Sequence, residues 1–364
     1  MRVVKEFGHA DNVSENLHRR SMKTTGTRKL VSPPVFTHRT DQPMRRGEKP
    51  QFLAFNGLVK RYDRRIAVDN LSLNLQPGEV FGFLGPNGAG KTSTIRMLCG
   101  LTRSSAGNGT VLGFDIWNDR FEIRSRLGYV PQQFSLYADL TILENLWFFA
   151  SVYGVPKQSA DCRIQALLAQ LDLFPYRRVR AGHLSGGFKQ LLAIGCAILH
   201  KPALLVLDEP TSGLDPCNRQ TIWNLLYELS QEGTTVFVTT HNMDEADRCT
   251  RVGFLYSGKL LAIGSPAQLK ERLVNQILDF EVDPLIAAQS SMRDLPGVFG
   301  TRLRSGKIRL LADDPRNLIA ELRQHWPFPA LAWHAYEFGV PDMDDVFEAF
   351  RCGILAAKLE STEV

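Results

Sequence analysis

The chemistry in this sequence begins at Gly85-Pro86-Asn87-Gly88-Ala89-Gly90-Lys91-Thr92, with Ser93 directly behind. Every fixed position of the phosphate-loop pattern G-x-x-x-x-G-K-[ST] is met. Glycines let a backbone wrap around phosphate oxygens because no Cβ intrudes. A helix start offers unpaired N–H groups and partial positive charge to an anion. Lys91 is placed to reach the β- and γ-phosphates of a nucleotide, and the Thr92 hydroxyl to bind Mg²⁺. Three further stretches carry polar groups at suggestive places. Leu204-Leu205-Val206-Leu207 runs into Asp208-Glu209; Asp208 can hold the water shell of Mg²⁺, and Glu209 can polarise an attacking water. His241 follows a strand read at 234–239. It can contact a γ-phosphate or simply pack. Leu184-Ser185-Gly186-Gly187-Phe188-Lys189-Gln190 is a second glycine loop opening a helix, and its N–H groups suit another anion. It cannot be the loop that cradles the first phosphate, so a second molecule is implied.

These groups need elements to hold them. The run 79–84 reads as a buried strand and 93–99 as a helix, so the phosphate loop has strand before it and helix after it. Residues 52–59 read as a strand, and 67–75 alternate apolar and polar as a half-buried antiparallel strand does. Short strands at 109–114 and 128–131 flank a helix at 121–126. Residues 141–174 are mainly helical, broken at Gly154-Val155-Pro156, and 188–199 form another helix. A strand at 203–208, a helix at 217–231 and a strand at 234–239 complete an α/β alternation, which implies a parallel sheet between helices. Two carboxylates at a strand's C-terminal end lie where such a sheet binds its ligand.

Past residue 273 the pattern changes to strand 277–282, helix 284–295, a hairpin over 299–311 turning at Ser305-Gly306, helix 315–326, strand 332–338 and helix 343–358. That order suits a small ferredoxin-like α+β module. His325 and His334 sit beside Trp326 and Trp333 and read as packing or surface residues.

The 364 residues allow two domains. The net charge of +5 is unevenly placed, because residues 1–50 hold 11 Lys/Arg against 5 Asp/Glu. The basic balance therefore belongs to a polar leader, 1–49, which reads as disordered, and says little about the partners of the folded body. Six cysteines without a CxxC pair read as buried free thiols of a reducing compartment. No apolar run approaches the ~18 residues of a membrane span; the stretch 191–199 stops at His200-Lys201. A soluble or peripheral protein is expected.

In order along the chain, GPNGAGKT, PQQ, LSGGFKQ, LLVLDEP, SGLD and TTH resemble the ATP-binding subunits of ABC transporters, over about residues 52–272. The resemblance implies an α/β fold: a phosphate-loop (RecA-like) ATPase core over 50–273, with an antiparallel β subdomain and an inserted helical subdomain at about 134–190. The module 274–364 follows it. The resemblance also implies roles. Tyr62 stacks on the adenine of ATP, and residues 85–93 hold its phosphates. Gln132, rather than its neighbour Gln133, touches Mg²⁺ and transmits nucleotide state. Glu209 and His241 serve the chemistry. Ser185, Gly186 and Gly187 contact the γ-phosphate held by an opposite subunit, and the stretch from Ser212 to Asp215 is where two subunits meet. The implied partners are a second ATP-binding subunit in a head-to-tail dimer and an integral membrane permease, with no nucleic acid. The implied location is peripheral, at the cytoplasmic face of the cell membrane.

The stretch 134–141, the single ATPase unit and the tail Met343-Asp344-Asp345-Val346-Phe347 resemble bacterial exporters of drugs and polysaccharides. An importer subunit shares the core motifs, and a soluble ABC protein of translation or repair is the alternative from another class. Against the latter stand one ATPase unit and no sustained heptads. Leu191 and Asn242 depart from the usual pattern, at positions that are neither phosphate nor metal ligands.

Overall fold

The computed structural model describes residues 52–355. The expected leader and the last residues of the expected C-terminal helix lie outside them. In chain order, β1 (Leu53–Tyr62) and β2 (Arg65–Leu75) form an antiparallel pair, and β3 (Val80–Leu84) leads through the glycine loop to α1 (Lys91–Leu98). β4 (Ala106–Val111) and β5 (Phe114–Asp115) return to the first pair, and α2 (Arg120–Arg126) precedes β6 (Leu127–Val130). The helices α3 (Ile142–Val152), α4 (Lys157–Gln170) and α5 (Gly186–Ile198) follow, then β7 (Leu204–Asp208), α6 (Pro216–Gln231) and β8 (Thr235–Thr240). After a 3-10 turn at Met243–Arg248 come β9 (Arg251–Tyr256), β10 (Lys259–Gly264) and α7 (Pro266–Glu271). The last part holds β11 (Ile277–Asp283), α8 (Leu285–Arg293), β12 (Val298–Arg304), β13 (Lys307–Ala312), α9 (Pro315–Gln324), β14 (Ala332–Phe338) and α10 (Met343–Arg351).

Three sheets result. The central one has the order β10-β9-β3-β8-β7-β6, with β9, β3, β8, β7 and β6 all parallel. β3, β7 and β8 are buried at every residue, which is why their sequences read as unbroken apolar runs. A parallel sheet is covered on both faces. On one face lies the antiparallel sheet β2-β1-β4-β5 with α1; β2 alternates buried and open, as a half-covered strand must. On the other face lie α5 and α6, continuous with the core of α3 and α4. α5 is buried almost throughout its second half, so the apolar stretch 191–199 is a core helix.

Local signals set the boundaries. Thr141 and Glu144 close a reciprocal capping box on α3. Gly154, with φ of +66°, and Pro156 end α3 and start α4. The C-terminal sheet has the order β12-β13-β11-β14, antiparallel throughout, and α8 and α9 pack on it as a separate core.

Two expectations need correction. The helix expected over 343–358 stops at Arg351: Cys352 caps it, and Gly353 turns the chain with φ of +77°. A left-handed residue cannot continue an α-helix. The cysteines are not uniformly buried, since Cys99, Cys196 and Cys249 are enclosed whereas Cys162, Cys217 and Cys352 are exposed. Helical position did not reveal which face each occupies.

Candidate active site

The loop between β3 and α1 is shaped by contacts that only glycine permits. A Cβ on Gly85 would fall 2.2 Å from the Leu255 carbonyl oxygen, and one on Gly90 would fall 2.3 Å from that of Ala67. Gly88 and Gly90 have φ of +79° and +116°, a region other residues rarely enter. The Ala89 N–H donates to the Pro86 carbonyl at 3.2 Å, curling the loop over the start of α1. Lys91 is almost wholly buried. Its Nζ donates to the carbonyls of Gly85 at 2.7 Å and Pro86 at 3.3 Å.

From β7 on the same sheet edge come Asp208 and Glu209. Asp208 is buried and accepts from Thr239 Oγ1 of β8 at 2.6 Å; the two residues are register partners across the parallel pair. Glu209 leaves the strand with φ of +50°, an uncommon conformation for a residue with a side chain. Its N–H donates to the carbonyl of Thr239 at 3.1 Å. The turn re-aims the carboxylate along the sheet edge, where three groups from three other segments converge on it. Lys91 Nζ lies 3.3 Å from Oε1. Gln132 Nε2 donates to Oε2 at 3.0 Å, and His241 Nδ1 lies 3.0 Å from the same oxygen.

A cavity of about 410 Å³ opens beside this cluster. Asn87, Gly88, Gly90, Lys91, Thr92, Ser93, Gln132 and Glu209 line it, together with Tyr62 from the end of β1. Tyr62 is half-exposed and carries the Lys60 ammonium 4.9 Å over its ring. The structure thus gathers Tyr62, the phosphate loop, Gln132 and Glu209 around one space; His241 reaches Glu209, but neither it nor Asp208 lines that cavity.

Ser185, Gly186, Gly187 and Asp215 are placed elsewhere. Ser185 caps α5, accepting from the Phe188 N–H. Asp215 caps α6, accepting from the Asn218 N–H at 3.0 Å; that donor holds its carboxyl below the usual carboxylate range. The two caps are neighbours, because a Cβ on Gly187 would strike the Asn218 side chain at 2.4 Å. None of these four residues lines the phosphate-loop cavity.

The structure adds residues that sequence reasoning passed over. Arg65, opening β2, lines the cavity and donates to the Gly88 carbonyl at 3.3 Å. Its nearness to Tyr62 across the β1–β2 turn was the available signal. Thr239, the partner of Asp208, needed the strand pairing. Thr211 Oγ1 donates to the buried Glu245 carboxylate at 2.5 Å, and Arg219 lies 3.7 Å from it. That link ties the segment after Glu209 to the turn after His241, and no local pattern announces it.

Comparison with known proteins gives the family. The ABC transporter family profile matches residues 68–212. A Nod factor export ATP-binding protein I from Burkholderia thailandensis is 38% identical over 272 residues, covering 74% of this chain and 88% of that protein. The chain belongs to the ABC transporter family. The probable multidrug ABC transporter ATP-binding protein YbhF of Escherichia coli is 42% identical over 227 residues. This chain spans only 39% of that relative's length, and the match covers 62% of the chain. The linearmycin resistance ATP-binding protein LnrL of Bacillus subtilis is 39% identical, covering 61% of the chain and 71% of LnrL. Among solved structures, a dimeric post-hydrolysis state of the ATP-binding cassette MJ0796 bound to ADP and Pi has 26% identity and a TM-score of 0.54, covering 58% of this chain and 98% of that one. No helix among the described residues is long and apolar enough to cross a membrane.

Proposed function

We propose that this ABC subunit binds ATP with Mg²⁺, hydrolyses it, and uses the cycle to drive export of a small molecule, drug or polysaccharide through a separate membrane permease. The observation that carries the reading is the convergence of Lys91, Gln132 and His241 on Glu209 at the rim of the phosphate-loop cavity. The bare backbone at Gly85 and Gly90 and the anchored ammonium of Lys91 suit a polyphosphate. The adenine rests on Tyr62. Thr92, Gln132 and Asp208 supply oxygen donors of the kind that suit Mg²⁺; when bound, the ion would neutralise charge on the β- and γ-phosphates. Glu209 accepts a hydrogen bond from the attacking water and orients it. His241 steadies the Glu209 carboxylate and faces the γ-phosphate, while Lys91 offsets the negative charge that develops there.

Ser185, Gly186, Gly187 and Asp215 act in trans. Ser185, Gly186 and Asp215 are exposed at adjacent helix starts and outside the chain's own phosphate-loop cavity, as expected where two copies pair head to tail and each signature loop completes the other's site. In this reading the chain divides into an ATPase core to residue 273, carrying the helical insertion of α3 and α4, and then a ferredoxin-like module. The permease contact falls on the insertion. Tyr137 is 50% exposed and meets Phe148 edge-on at 4.7 Å, and Phe134 is exposed as well. Exposed aromatic groups in contact mark a docking surface for an apolar partner segment. The chain then sits at the cytoplasmic face of the membrane. The relatives that this chain matches, described as exporting Nod factor or conferring linearmycin resistance, favour export over import.

Steady-state hydrolysis tests the reading directly. The purified chain is expected to release phosphate from ATP only with Mg²⁺ present. Absence of Mg²⁺-dependent turnover, with or without a permease, would overturn it.

A further inference from the structure

The tail motif around Phe347 has no part in the chemistry above, yet it lies one strand away from the phosphate loop. α10 has two unlike sides. Its first turn is tied to the C-terminal sheet: Arg302 pairs with Asp342, with Asp344 at 3.3 Å and with Asp345 at 2.8 Å, and Arg309 holds Asp345 at 2.8 Å. Its apolar side leaves that sheet. Met343, Val346, Ala349 and Phe350 are buried in the core that includes the central sheet and not in the core under α8 and α9. Phe347 packs on two alternate residues of β9, its ring 5.6 Å from that of Phe254 and 6.2 Å from that of Tyr256.

The residue between those two, Leu255, points to the opposite face of the strand. Its carbonyl is the atom that bars any side chain from Gly85. The turn leaving β9 contributes again, because the Gly258 N–H donates to the Ala89 carbonyl at 2.9 Å. β9 and its turn are therefore a floor under both ends of the phosphate loop, and α10 is the prop beneath that floor.

We propose that Phe347 is a positioning residue for the nucleotide: through β9 it fixes the Gly85 and Ala89 backbone, so that the C-terminal module sets the affinity of the phosphate loop. The inference rests on the ATP-binding reading. A ligand or partner that shifts the module against the core would be felt at the ATP site through the same contact.

Hydrolysis kinetics and hydrogen exchange on the full chain test this. Phe347→Ala should raise the KM for ATP about five- to ten-fold while kcat stays within about two-fold, because the loop is displaced and Glu209 is not. Phe347→Leu, which refills most of the volume, should recover most of the affinity. In the nucleotide-free protein, amides of 85–92 should exchange faster in Phe347→Ala while those of α3 and α4 keep their protection. A lowered melting temperature with unchanged KM and unchanged exchange at 85–92 would overturn the proposal, leaving Phe347 a packing residue only. Should Phe347→Ala fail to fold, Arg302→Ala loosens α10 from the outside. A two- to three-fold rise in KM is then expected, and an unchanged KM refutes the idea. The exchange readout needs no ATP, so its result stands apart from whether wild-type chain hydrolyses ATP at all.

Discussion

Two charged clusters in this molecule are built from similar parts and do different things. At the sheet edge, one carboxylate, Glu209, faces an ammonium, an amide and an imidazole from three segments, at the rim of a cavity. In the C-terminal module, Arg302, Arg304 and Arg309 meet Asp279, Asp342, Asp344 and Asp345. There the buried partners close on one another: Arg309 makes a two-pronged contact with Asp279, at 2.8 and 2.7 Å, and a third bond to Asp345. Charges that are mutually satisfied cement a helix to a sheet. Charges held by unlike partners, on a backbone turned to positive φ, remain available to a ligand. Ionic density alone therefore does not identify a reactive site; what the charges face does.

Breaking each cluster should separate the two roles. Lys91→Ala removes the ammonium that the loop carbonyls hold toward the phosphates. Turnover of the folded variant should fall by about 10²–10³-fold, the loss typical of one preorganised electrostatic contact, more than any loss of stability from unpairing the buried Glu209 accounts for. Phosphate release and a thermal scan on the same preparation check this. Near-normal turnover would remove Lys91 from the site.

Arg309→Ala should do the reverse. Removing one member of a buried pair leaves uncompensated carboxylates and costs about 3–5 kcal/mol of stability. Denaturant unfolding measures that loss, while kcat of the folded protein should stay within about two-fold. A large fall in kcat at full stability would mean that the module's charges take part in the chemistry.

The smallest effect on the isolated chain is expected at the helical insertion. Tyr137→Asp puts a charge into the exposed aromatic contact with Phe148. It should weaken membrane association and uncouple transport, with ATP turnover of the free subunit changed by less than about two-fold. Unfolding of the variant would place Tyr137 in the core, and intact transport would place the permease contact elsewhere.

The same contrast explains what could be read in advance. The phosphate loop was legible because its constraint is local: Gly85 and Gly90 are demanded by carbonyls 2.2 and 2.3 Å from where a Cβ would sit, and Lys91 follows at a fixed step. The buried strands β3, β7 and β8 were legible as apolar runs, and the alternation of strands and helices after residue 276 was legible as an element order. Contacts made across the sheet were not legible. Thr239 reaches Asp208 only because β7 and β8 pair in that register. Glu245 reaches Thr211 from 34 residues away. The tail Met343-Asp344-Asp345-Val346-Phe347 was visible as a motif, but nothing in its spacing says that its apolar face leaves the module to prop β9.

The central claim is that Glu209 performs chemistry on ATP bound between two copies of this chain. Glu209→Gln keeps the side-chain shape and the Gln132 and Lys91 neighbours, but an amide is a poor base. Sedimentation velocity of this variant with ATP and Mg²⁺ tests the claim most directly. A stable dimer that forms with ATP, together with a loss of turnover of about 10²–10³-fold, is the predicted result. A monomer at every ATP concentration, or hydrolysis at the wild-type rate, would contradict it.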